Sequence, residues 1–240
     1  MEHKNKNKIA IFLAARSGSK RLPNKHFLKI NSNYRFIDLC ILRLKKSKLV
    51  NKIFLCTTKK KEDNRFNDIC NKHKIKLFRG SNNNVAKRII DCAKQNFIET
   101  IVRITADCPL VDPKLIDECI KLHLNKKSDY TSNTLKLTFP DGLDVEVIQL
   151  NTLIKSQTIS KSKYNKEHVT FYIRKSKLFK KFNYVNNINY SNRRWTLDKF
   201  EDYLFLKRVA KHFLPKIHFS WKDLIKAEKI NKSLINIKER

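Results

Sequence analysis

Apolar positions in the first half of the chain fall into two alternating patterns. Residues 9–13, 52–57, 76–78 and 100–104 form short apolar-rich runs, the length of strands buried on both faces. Between them, 37–46 sets Ile37, Cys40, Ile41 and Leu44 on one helical face. Helices are likewise expected over 62–72, 84–96 and 113–124, the last opened by Pro113. This alternation predicts an α/β fold: a Rossmann-like, mostly parallel sheet with helices on both faces. From about residue 129 the rhythm changes. Strands are expected at 129–133, 143–150 and 182–184, 168–175 reads as strand or helix, and helices return at 199–211 and 221–230. The stretch 129–195 therefore reads as an antiparallel, strand-rich excursion on the main sheet. There is no Gly/Ser/Pro linker and no internal repeat.

A length of 240 residues suits one α/β domain with a small extension, so 1–240 is read as a single unit. The formal net charge of +31 invites a nucleic-acid reading. Against it, the basic residues are spread along the whole chain and travel with abundant Asn and Ile and only 3 Gly. A solvated lysine surface that draws in anionic substrates fits this pattern better. The six cysteines form no Cys-x-x-Cys pair, the polar start at 1–8 is unlike a secretory leader, and no apolar stretch approaches a membrane span. The expected setting is a reducing cytoplasm.

The stretch 13–25, Leu-Ala-Ala-Arg-Ser-Gly-Ser-Lys-Arg-Leu-Pro-Asn-Lys, follows directly on the first strand. Ser17, Gly18 and Ser19 let backbone N–H groups approach anionic oxygens, and Arg16, Lys20, Arg21 and Lys25 supply charge. A basic surface turn is the plain alternative. Position favours a polyphosphate site, because ligands of open α/β sheets gather at the carboxyl ends of strands. Neither the Walker spacing nor Gly-x-Gly-x-x-Gly is present.

Other segments carry candidate chemistry. Asp107 lies just past the fourth strand, as a turn cap or as a Mg²⁺ ligand facing the phosphate loop. Asp198 stands where the cap of the 199–211 helix is expected. Asp144 and Glu146 share one side of a predicted strand, where they contact sugar hydroxyls or a second cation, or belong to an exposed face. The remaining histidines show no ligand spacing, and no Gly-x-Ser-x-Gly elbow is present.

Taken in order, these segments resemble the cytidylyltransferases that make CMP-activated acidic sugars, the CMP-acylneuraminate and CMP-Kdo synthetases, and above all their SpsF-like relatives. The likeness rests on the 13–25 loop, Arg79-Gly80-Ser81, Asp107-Cys108-Pro109-Leu110, Phe139-Pro140-Asp141-Gly142-Leu143-Asp144-Val145-Glu146-Val147, Glu167-His168-Val169-Thr170 and Trp195-Thr196-Leu197-Asp198. It implies a nucleotide-diphospho-sugar transferase type of fold and transfer of CMP from CTP to a 2-keto-3-deoxy sugar acid, with release of pyrophosphate. It implies that Arg16, Lys20 and Lys25 grip the nucleotide, that Ala14, Ala15, Ser17, Gly18, Ser19, Arg79 and Ser81 line its pocket, and that Asp107 and Asp198 share Mg²⁺. Asp144, Glu146, His168 and Arg174 are then placed at the acidic sugar. A homodimer is implied too, with 129–195 reaching the partner and covering Tyr130, Phe139, Phe171 and Tyr172. Two other readings stay open. One is a glycosyltransferase of related fold using Asp144-Val145-Glu146 as a metal motif; the other is a basic nucleic-acid binder with salt-steep affinity.

Overall fold

The computed structural model describes residues 8–237, and the start at 1–7 lies outside them. Seven strands, β1 (Ile9–Ala14), β2 (Ile53–Thr58), β3 (Lys76–Gly80), β4 (Thr100–Thr105), β5 (Tyr130–Ser132), β6 (Glu146–Gln149) and β7 (Lys181–Asn183), form one sheet in the order β3-β2-β1-β4-β6-β5-β7. The first four strands run parallel, as their alternation with helices requires. β6 enters antiparallel beside β4, with Arg103 paired to Glu146, and β5 and β7 complete that side.

Side chains of β1 alternate between two cores. Ile9, Ile11 and Leu13 pack on one face with α1 (Phe36–Leu44) and α4 (Pro113–Asn125). Ala10 and Phe12 pack on the other with α3 (Val85–Gln95) and α5 (Leu150–Ile159). A continuous apolar run is thus what a strand covered on both faces demands. Asn84 caps α3 by accepting from the Lys87 amide at 2.8 Å, and Asp112 caps α4 in the same way from Lys114 at 2.9 Å. With Asp112 as the cap, Asp107 is not needed for that task. The remaining helices are α2 (Phe66–His73), α6 (Lys163–His168), α7 (Phe171–Lys175), α8 (Phe200–Phe213) and α9 (Trp221–Ile230). None of the described helices is long and apolar enough to cross a membrane.

The 129–195 region departs from expectation. It carries three helices, and the strand expected over 143–150 shortens to Glu146–Gln149 because Leu150 already begins α5. The ambiguous 168–175 stretch is helical, broken where Val169 turns at φ 54. Tyr130 and Phe139 are buried within the chain itself, so neither wants cover from a partner, whereas Phe171 stays exposed.

Strand order reverses between β1 and β4. From β1 the chain steps to β2 and β3, then returns across β1 to build the other half. Loops leaving β1 and β4 consequently diverge, and the crevice between them is where α/β sheets receive ligands.

Candidate functional site

A cleft of about 710 Å³ opens at that crevice. Ala14, Ala15, Arg16, Gly18, Ser19, Lys20, Arg21 and Lys25 line one side, and Thr105, Asp107 and Asp198 the other. The loop after β1 is held by Asp63, a residue of the expected 62–72 helix to which the sequence assigns no role. Its carboxylate accepts from the Ser17 amide at 2.7 Å, and from the amide and hydroxyl of Thr58 at the end of β2. Burial works to raise the Asp63 carboxyl, but these donors hold it below the usual carboxylate range. The Ser17 amide is thus spent on Asp63, and the Ser19 amide on the Ser17 carbonyl at 2.8 Å. These two N–H groups shape the loop, a correction to the expectation that they meet phosphate.

Lys25 is nearly buried, its side chain 10% exposed, and its ammonium donates to Asp107 at 3.1 Å and Asp198 at 3.4 Å. Those two carboxylate oxygens therefore lie no more than about 6.5 Å apart, the two distances laid end to end. Burial favours the neutral Asp107 acid, yet Lys25 and Thr105 together keep it below its ordinary value. Asp198 arrives from an irregular segment and does not lie at a strand end. Nor does it cap α8: the amides of Asp198 and Lys199 both donate to Asp202, leaving the Asp198 carboxylate to face Lys25 and Arg21. Arg194 grips Asp202 at 3.0 and 3.1 Å and lies near Asp141 and Asp198.

Gly142 makes this approach possible. Its φ is +106, and a Cβ there would lie 2.6 Å from the Trp195 carbonyl carbon. The 193–197 segment is bonded on both sides: the Trp195 amide donates to the Asp141 carbonyl at 2.7 Å, and the Leu197 amide to the Asp107 carbonyl at 2.8 Å. Trp-Thr-x-Asp is thus fastened to both acidic loops, which places Asp198 beside Asp107.

A second chamber of about 170 Å³ adjoins the cleft, sharing Arg103, Thr105 and His168 with it. Asp144, Glu146, Thr134, Tyr164, Thr170, Phe171 and Arg174 complete its wall. Glu146 is fully engaged: Arg103 pairs with one oxygen, while Tyr130 and Thr170 donate to the other at 2.6 and 2.5 Å. Burial raises this carboxyl, and the Arg103 charge with the two hydroxyls outweighs it, so Glu146 stays ionised. Its oxygens hold Arg103, a correction to the expectation that Glu146 meets sugar or a second cation. The Arg174 guanidinium donates to the Thr134 carbonyl at 2.9 Å, and the His168 ring packs on Tyr164 with centroids 4.1 Å apart.

The Arg79 and Ser81 expectation is corrected as well. Arg79 donates to the carbonyls of Thr58 and Lys60 and to Asn64, and both residues line a separate recess. Arg88 of α3, not Arg79, adds its guanidinium to the cleft, aimed by two bonds to the Ser81 carbonyl at 2.8 and 3.1 Å.

Asp107 and Asp198 already converge on one buried ammonium, a donor set that suits a hard cation. No cluster of three or more His, Cys, Asp or Glu able to hold a metal occurs among the described residues. Two carboxylates suit a divalent cation that keeps its remaining positions for substrate phosphates and water.

Residues 10–236 match the family described as Cytidylyltransferase. The chain is 32% identical to the spore coat polysaccharide biosynthesis protein SpsF of Bacillus subtilis, over 85% of this chain and 86% of that one. A solved cytidylyltransferase from Leptospira borgpetersenii is similar with a TM-score of 0.91 at 35% identity, covering 97% of this chain and 98% of that one. A CMP:2-keto-3-deoxy-manno-octonic acid synthetase complexed with CTP gives 0.64 at 11% identity, over 86% and 100%, a likeness of fold alone.

Proposed function

We propose, for a chain that belongs to the cytidylyltransferase family and is therefore a nucleotidyltransferase, that it moves CMP from CTP to an acidic sugar of the 2-keto-3-deoxy type, releasing pyrophosphate for surface polysaccharide or glycan synthesis. The observation that carries this reading is the pair of joined cavities. The larger is lined by the basic loop and by Asp107 and Asp198, and the smaller meets it at Arg103, Thr105 and His168.

In this reading Arg16, Lys20 and Lys25 meet the triphosphate, with Arg21 and Arg88 beside them. Their charge stabilises the negative charge that builds as the α-phosphorus is attacked and pyrophosphate departs. Asp107 and Asp198 would hold Mg²⁺, which would supply further neutralisation of the phosphates. His168 and Arg174 offer the acceptor carboxylate two donors on the far side of the junction. The glycosyltransferase reading loses its support, because Glu146 of Asp144-Val145-Glu146 has no oxygen left for a metal.

The test is incubation of labelled CTP with 2-keto-3-deoxyoctonate or N-acetylneuraminate. CMP-sugar and pyrophosphate should form in equal amounts, and a chelator should stop both without lowering the melting temperature of the nucleotide-free protein. Undiminished turnover in chelator would remove the metal from the scheme.

The same reading gives the protein a symmetric partner along the open β7 edge. Leu137, Val185 and Ile188 are exposed there on two segments bonded to each other through Thr138. Sedimentation at working concentration should give a dimer, and a fully active monomer would dismiss it.

A further inference from the structure

The smaller chamber holds two carboxylates, and the fold treats them differently. Glu146 has a donor on each oxygen, whereas Asp144, two residues earlier, has no side-chain hydrogen bond or ion pair among the described residues. Its backbone is nonetheless firmly fixed. On either side of it, the Asn133 side chain donates to the Leu143 carbonyl and accepts from the Val145 amide, both at 2.9 Å. One residue further back, Gly142 rests against Trp195. A carboxylate held this rigidly and left unpartnered, facing a chamber that joins the nucleotide cleft, is placed for a group that enters from outside.

We propose that Asp144 is the general base of the transfer, accepting the proton of the acceptor hydroxyl as that oxygen attacks the α-phosphorus; this rests on the acceptor reading above. The O–H bond breaks with its proton passing to an Asp144 oxygen, and the oxygen–phosphorus bond forms. The bond from the α-phosphorus to pyrophosphate then breaks, its electron pair leaving on pyrophosphate. Asp144 afterwards returns the proton to water.

The surroundings suit that task. Burial, then Asp141 in the preceding turn, Glu146 on β6 and Asp107 after β4, push the Asp144 carboxyl up to about 7, while Arg103 opposes them. His168 and Arg174 face the chamber from α6 and α7. A base half ionised near neutrality combines availability with proton affinity. It also opposes folding. A carboxyl whose folded value lies above its unfolded one contributes stability at low pH, and that contribution is lost progressively as pH rises from the ordinary value of 3.8 to about 7.

Asp144→Asn preserves shape and separates the possibilities. With 2-keto-3-deoxyoctonate as acceptor, pyrophosphate release should fall 100-fold or more, with calorimetric CTP affinity within twofold of wild type. The wild-type kcat should rise with pH through about 7, and the variant should lose that limb. The variant should also be as stable as the wild type near pH 4 and more stable at pH 8.5. Turnover within threefold of wild type, or a variant less stable at pH 8.5, would overturn the assignment. If the wild type transfers to neither 2-keto-3-deoxyoctonate nor N-acetylneuraminate, the acceptor reading fails by itself. The stability difference then still judges whether Asp144 is held uncompensated or serves as a structural carboxylate.

Discussion

Lys25→Met should lower pyrophosphate release roughly 10³-fold, the upper range for removing one preorganised charge from a reacting centre. The loss has two sources. Lys25 is the only ammonium bonded to both Asp107 and Asp198 among the described residues, so its removal leaves two neighbouring carboxylates repelling each other. Removal also lets the Asp107 carboxyl rise toward its ordinary value, weakening the pair as a cation site. The stability cost should be about 2 kcal/mol, below the ~3–5 of a wholly buried pair because Asp107 remains a third exposed. Combining Lys25→Met with Asp198→Asn should restore most of that stability and none of the turnover. A double variant that regains activity would show Lys25 to be a structural counter-ion only. Lys25→Arg should not rescue, since a planar fork cannot replace one compact ammonium between two oxygens.

Gly142→Ala should be the most damaging single change to the fold, costing about 3–5 kcal/mol. The added carbon would sit 2.6 Å and 2.7 Å from the Trp195 carbonyl carbon and oxygen, backbone atoms that cannot swing aside. The backbone at φ +106 is also disfavoured for any side chain. Whatever folded protein remains should have lost activity, because the displaced segment carries Asp198. Urea unfolding of the soluble fraction checks the cost; a midpoint within about 0.3 M of wild type would mean that the segment yields at little cost.

The parallel half of the sheet was legible because its strands are apolar-rich runs and its helices carry their own faces and caps. The loop after β1 was legible for a local reason too, since small and basic residues stand together directly after a strand. Long-range partners were not. Asp63 falls in the helix expected over 62–72, and nothing nearby in sequence says that it fastens the Ser17 amide. Arg88 and Arg103 were hidden by composition: with 53 Lys and Arg, a cation in the cleft has no distinguishing type. The resemblance points to Arg79 because it follows the chain, while the cleft receives whichever side chain the helix turns toward it, here Arg88. Glu146 was misread for a similar reason, as Arg103, Tyr130 and Thr170 reach it from other elements. α5 was missed because its beginning, Leu150, continues the apolar run of β6 without a break.

The bond between Lys25 and Asp198 spans 173 positions of sequence, and this has a consequence for biosynthesis. A nascent chain that has emerged as far as β7 already contains all seven strands and the whole basic loop. It still lacks Asp198, Arg194 and the Trp195 segment that seats against Gly142. Folding from the N-terminus can therefore proceed far while Lys25 and Asp107 wait for their third member. An interrupted product would carry most of the scaffold, with Asp107 lacking its partner carboxylate. Nucleotide competence belongs to the finished chain.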